Sequence, residues 1–132
     1  MNRFTKAFAA SALILTFSPA FAGPVKLITH NKTNVESNAF IAGTIPSLHP
    51  TKPNSDSYVS WTEVRMACYG HIDDQKRCSA VIKMETDKGS PVEVGIATVN
   101  MDTGVITFKY TQETAYTVTV NGIGETTLAY KK

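Results

Sequence analysis

Apolar and polar residues alternate in short runs along most of this chain, with Gly, Asn, Asp and Pro between the runs. Alternation of period two turns one face of each run toward a core and the other toward water, as strands require. On this pattern strands are expected at 25–29, 39–44, 58–66, 79–86, 92–99, 105–110, 115–120 and 125–130. No window of about a dozen residues carries a helical stripe. The 15 threonines after residue 22, with abundant Val, Ile and aromatic residues, favour the same reading. The expected fold is all-β: a small antiparallel β-sandwich of about seven or eight strands, with one disulfide-stapled hairpin, formed by residues 23–132 as a single domain.

The alternation fails in the first 22 residues. Arg3 and Lys6 form a basic start, residues 7–17 an apolar run, Ser18-Pro19 a helix break, and Ala20-Phe21-Ala22 a small-x-small site. That order is the order of a secretory signal peptide, with cleavage expected after Ala22. The apolar run is about half the length of a bilayer span. Without the leader, 11 basic residues face 11 acidic ones, so neither nucleic acid nor an anionic membrane has a basic patch to bind. No later segment has the length of a membrane span. The first cysteine, Cys68, is far from the cleavage point, which argues against a lipoprotein. The expected location is soluble, in the periplasm or the medium.

Turn chemistry refines the strand pattern. Met101-Asp102-Thr103-Gly104 suits a type I turn with Gly104 in the left-handed position. A three-residue loop there pairs Met101 with Val105 and Thr98 with Phe108, and puts Val94 and Ile96 on the face of Ile106, Phe108 and Tyr110. After Asn121-Gly122, a three-residue loop with a bulge pairs Tyr116 with Leu128 and Val118 with Thr126. Pro46, Pro50 and Pro53 exclude 45–57 from a central strand. That segment reads as a crossover between sheets, or as a recognition loop.

Cys68 and Cys78 are the only cysteines, and in an oxidising compartment they should pair. Closure across a hairpin places Met66 opposite Ala80 and Val64 opposite Ile82, and stabilises by about 2.5–3 kcal/mol. Redox pairs are typically spaced C-x-x-C, so this bridge is structural. Trp61 precedes both cysteines, unlike the immunoglobulin arrangement.

Candidate chemistry is sparse. His30, His49 and His71 lack metal-ligand spacing; His71-Ile72-Asp73-Asp74 could place an imidazole near two carboxylates, but loop tips are commonly polar for solvation alone, and that is the preferred reading. No metal or cofactor is expected, and no G-x-S-x-G elbow or phosphate loop is present. Asn31-Lys32-Thr33 fits an N-glycosylation sequon. Trp61 is either core or exposed, depending on a bulge near Thr62-Glu63. His49, Trp61, Tyr69 and His71 are the candidate contact residues for a protein or glycan partner.

The leading expectation is an exported, non-catalytic binding or interaction module. One alternative is a structural or assembly subunit: residues 125–130 resemble the terminal strand of pilin-like subunits that join by strand addition, although the close cysteines and the lack of a donor extension argue against that family. The other is a secreted factor or enzyme inhibitor acting on a host or rival cell.

Overall fold

The computed structural model describes residues 23–132, so the expected leader and its cleavage site lie outside the described residues. In chain order the elements are β1 (Lys26–Asn31), β2 (Ser37–Ile41), β3 (Ile45–Pro46), β4 (Ser55–Ser60), α1 (Trp61–Ala67), β5 (Arg77–Met84), β6 (Val92–Asn100), β7 (Ile106–Tyr110), β8 (Tyr116–Gly122) and β9 (Glu125–Tyr130). They form two sheets, β4-β1-β9-β8 and β3-β2-β5-β6-β7. The β-sandwich is thus as expected, with two-residue β3 added from the proline-rich segment. That segment crosses from the second sheet to the first. Every strand pair is antiparallel except β1 with β9.

The expected strand 58–66 is not continuous. β4 ends at Ser60, and the next seven residues form α1. Ser60 is the N-cap: its Oγ accepts the Glu63 N–H at 3.2 Å and donates to Glu63 Oε1 at 3.2 Å. This is a serine N-cap braced by the Glu63 carboxylate, and it satisfies a helix-start amide that a strand would have used in its ladder. Trp61, Val64 and Cys68 then share one inward face of the helix. The change of apolar phase along this stretch is therefore a strand-to-helix transition rather than a bulge. Val64 and Met66 consequently do not oppose Ile82 and Ala80, whose partners are Ala39 and Gly95, and Ile41 and Ala97. Cys68, the C-cap of α1, bonds Cys78 at the start of β5, with S–S 2.04 Å and Cα–Cα 6.0 Å. The bridge fastens the helix to the five-stranded sheet instead of closing a hairpin.

Two hairpin registers also differ from expectation. In β6–β7, Val99 pairs with Ile106 and Ala97 with Phe108, a one-residue slip that turns Ala97 and Val99 inward in place of Ile96 and Thr98. The cause is Asn100, whose Oδ1 accepts the N–H groups of Asp102 and Thr103, both at 2.9 Å, and so builds a four-residue loop. Gly104 does take the left-handed conformation, at φ +78°. Val94 stays buried because the β5–β6 register shifts beside it: Ile82 pairs with Gly95 and Lys83 with Glu93. A Cβ on Gly95 would stand 2.3 Å from the Lys109 carbonyl oxygen, so only glycine fits this bulge. In β8–β9, Val118 pairs with Leu128 and Tyr116 with Tyr130; the irregularity lies between Val120 and Gly122, inside the strand, and the turn is Ile123-Gly124.

The interior is divided. One buried cluster gathers Val35, Met84, Val94, Tyr116, Val118 and Leu128. The other gathers Ile41, Trp61, Val64, Met101 and the two cysteines. Trp61 is core: its indole N–H donates to the Met101 carbonyl at 3.0 Å.

Candidate functional site

Between the two clusters the sheets face each other with small side chains. On the four-stranded sheet, Thr29 pairs with Ser57 on one side and with Thr126 on the other. On the five-stranded sheet, Ala80 pairs with Ile41 and Ala97, and Ala97 with Phe108. Packed sheets stand about 10 Å apart, a gap normally filled by interdigitating large residues. A row of two threonines and a serine, with alanines facing from the other sheet, leaves it unfilled. The result is a cavity of about 430 Å³, walled chiefly by apolar atoms.

The cavity opens to solvent. Ala80, Ala97, Val99 and Phe108 face inward yet remain half-buried. Its exposed lining residues belong to two segments only, the crossover after β3 and the outer flank of α1. Leu48 on the first, 91% exposed, and Met66 on the second, 70% exposed, form an apolar lip. A sealed void of this size would cost about 10 kcal/mol at the usual rate per unit volume, on the order of a whole domain's stability. A space open to solvent is not an empty void, so that figure does not apply to it.

The lip is held by hydrogen bonds. Ser37 and Thr51 exchange backbone bonds of 3.0 and 2.7 Å, Ser47 N–H donates to Ala39 at 2.8 Å, and Asn38 Nδ2 donates to the Ser47 carbonyl at 3.0 Å. Buried Asn31 anchors the far end, donating to the carbonyls of Val35, Thr51 and Lys52 and accepting from Thr33. The sequon asparagine is therefore a saturated core group with no amide left for a glycan. Across the mouth, His49 Nε2 meets Glu63 Oε2 at 3.0 Å. The chain Ser60–Glu63–His49 has its carboxylate in the middle, so the imidazole does not reach the serine hydroxyl. It is a helix N-cap braced by a histidine, unlike a nucleophile–base–acid triad. Inside, the hydroxyls of Thr29, Ser57 and Thr126 take no side-chain hydrogen bond from protein among the described residues, leaving three polar groups aimed at an otherwise apolar space.

The family model described as T2SS substrate NttC matches residues 1–131. The chain belongs to the NttC family of type II secretion system substrates. The crystal structure of the Legionella pneumophila type II secretion system substrate NttC is similar to it, with TM-score 0.76 and 42% identity, covering 83% of this chain and 100% of that one. No curated protein matches the chain. As a member of the NttC family the protein is exported. Among the described residues no helix is long and apolar enough to cross a membrane.

The residues singled out from sequence scatter over this NttC-family fold. His49 lies at the cavity mouth. Trp61 is buried in the cluster beside the cavity and offers no surface to a macromolecular partner. Tyr69 and His71 are exposed on the disulfide-closed loop and do not line the cavity. Asp73 in that loop is already engaged: its Oδ1 accepts the amides of Gln75 and Arg77, and its Oδ2 pairs with Arg77 Nε at 3.0 Å. Those bonds, led by the Arg77 amide, hold its pKa below the ordinary value. Among the described residues no group of three or more His, Cys, Asp or Glu is placed to hold a metal ion. Sequence reasoning missed Glu63 and the small-residue rows. The signal for the former was Ser60-x-x-Glu63 itself, a capping-box spacing.

A second histidine site stands apart. His30 on the outer face of β1 contacts Asp56 on β4 at 2.7 Å through Nδ1, and Glu125 on β9 at 2.6 Å through Nε2. An acceptor at each nitrogen favours the charged form of the ring. Its pKa is raised by the Asp56 hydrogen bond first and the Glu125 bond second, and that of Asp56 is lowered, chiefly by His30. The group ties three neighbouring strands together and leaves no ring nitrogen for catalysis.

Proposed function

We infer that this protein is an exported, non-catalytic binding module whose ligand enters the cavity between the sheets. The observation carrying this reading is the 430 Å³ apolar space with a few convergent polar groups, which has the size and chemistry of small-molecule sites. The side-chain chemistry agrees with it. His30 is committed to two carboxylates and His49 to Glu63, and neither imidazole activates a hydroxyl. Assembly by strand addition has less support: β9 is paired with both β1 and β8, so the C-terminal run is no free donor strand. Export favours a ligand met outside the cell, which leaves room for action on a host or rival.

The test is titration with N-phenyl-1-naphthylamine, whose fluorescence rises in apolar surroundings. Saturable binding by the wild type, abolished in a folded Ala97→Trp variant, is the expected result. Absence of saturable binding, or equal binding by Ala97→Trp, overturns the reading.

A further inference from the structure

The geometry points to a specific ligand class, a single-tailed aliphatic amphiphile with an uncharged, hydroxyl-bearing head, its tail between the sheets and its head at His49 and Glu63; this rests on the cavity reading above. Volume sets the tail. A cavity of roughly 150 Å³ accepts one benzene ring, and this one, at about 430 Å³, has room for one aliphatic tail rather than the paired tails of a phospholipid. The facing walls match a chain: Ala80, Ala97 and Phe108 on one side, Thr29, Ser57 and Thr126 on the other, with both ends closed by the two core clusters.

Charge sets the head. Glu63 stands at the mouth and is the one Asp, Glu, Lys or Arg among the residues lining the cavity, while in the shallow depression beside it Asp56 is already bound to His30. A fatty-acid head seated there would stand beside the Glu63 carboxylate, which repels it at short range. Hydrogen bonding agrees. With Nε2 donating to Glu63, neutral His49 leaves Nδ1 as an acceptor, and Nδ1 has no partner among the described residues. A head-group hydroxyl donates to that nitrogen or to the remaining lone pairs of Glu63, while the exposed Leu48 and Met66 cover the first methylenes of the tail.

The experiment is displacement of N-phenyl-1-naphthylamine from the purified protein at about pH 8. Monolauroylglycerol and laurate share one tail and differ in head charge; both are kept below micelle-forming concentrations. Monolauroylglycerol should displace the probe at a concentration at least about tenfold lower than laurate. Glu63→Gln, which keeps the N-cap amide bond and an oxygen to accept the Ser60 hydroxyl, should narrow that gap to about threefold by improving laurate. His49→Phe should weaken monolauroylglycerol by about fivefold, the loss of one hydrogen bond. Laurate equal to or better than monolauroylglycerol on the wild type, or a gap unchanged in Glu63→Gln, overturns the ligand class while leaving the cavity reading intact. Failure of the probe to bind overturns both.

Discussion

Replacing Ala97 by leucine tests the cavity by the sign of a stability change. Ala97 lies in mid-strand on β6, paired with Ala80 and Phe108, and faces the open space. Leucine adds three buried carbons, each worth about 0.8 kcal/mol, for a gross gain of about 2.4 kcal/mol. Ordering the longer side chain returns about 0.5–1 kcal/mol. The net expectation is stabilisation by about 1–2 kcal/mol, a rise in Tm on the order of 5–10 °C for a domain of this size. In a core packed to ordinary density the same substitution forces neighbours off their rotamers and costs about 1–3 kcal/mol. The two cases thus differ in sign. Urea denaturation followed by far-ultraviolet circular dichroism gives the free energy, and naphthylamine titration of the same variant gives the remaining binding. A destabilised Ala97→Leu protein that binds the probe as the wild type does would refute the reasoning.

Other expectations concern the elements around the cavity. His30 has a folded pKa above its ordinary 6.5, so its contribution is complete below about that pH and is lost as pH rises through the folded value. Asp56, lowered from 3.8, contributes above that pH and loses its share as pH falls through its depressed value. Wild-type Tm should therefore fall more steeply than that of His30→Gln as pH rises above 6.5; parallel curves would show that the bridge is without energetic effect. Reduction of Cys68–Cys78, a bridge across a sequence separation of 10, should cost about 2.5–3 kcal/mol in urea midpoint experiments, and an unchanged midpoint would contradict the loop-closure account. Trp61→Phe removes the bond to the Met101 carbonyl and should cost about 1–3 kcal/mol by thermal melting, since that buried acceptor loses its partner. A loss below about 0.5 kcal/mol would mean that water reaches the carbonyl.

The β-sandwich, seven of its strands and the end of β4, the inward faces of β8 and β9 and the cysteine pair were all legible in the alternation and the cysteine count. What escaped was decided by short polar contacts. Asn100 captures two amides and shifts β6–β7 by one residue, which replaces Ile96 by Ala97 on the inner face. The cavity was hidden by that slip, since an expected Ile96 fills the space that Ala97 leaves open. Ser60 and Glu63 could be read as a capping box, but the alternation of Tyr58, Val59 and Trp61 masked it. His49 meeting Glu63 depends on a crossover returning over a helix, a contact of sequence separation that no local pattern carries.

That the space is a built feature rather than a packing defect follows from where its small residues come from. A defect arises at one truncated side chain, and its neighbours relax toward it. Here the smallness is shared by β1, β4 and β9 in one sheet and by β5 and β6 in the other, all at positions brought into line by strand register. Large residues return immediately beyond: Leu27 and Val59 on one side of the threonine row, and Leu128 on the other, each within two positions along its strand. The sandwich is therefore closed at both ends by ordinary apolar packing and, at the α1 end, by the disulfide, while its middle is kept open. Stability and access are assigned to different residues. Filling the middle should consequently strengthen the fold while removing the site, whereas damage to either end should weaken the fold before it changes what the cavity can hold.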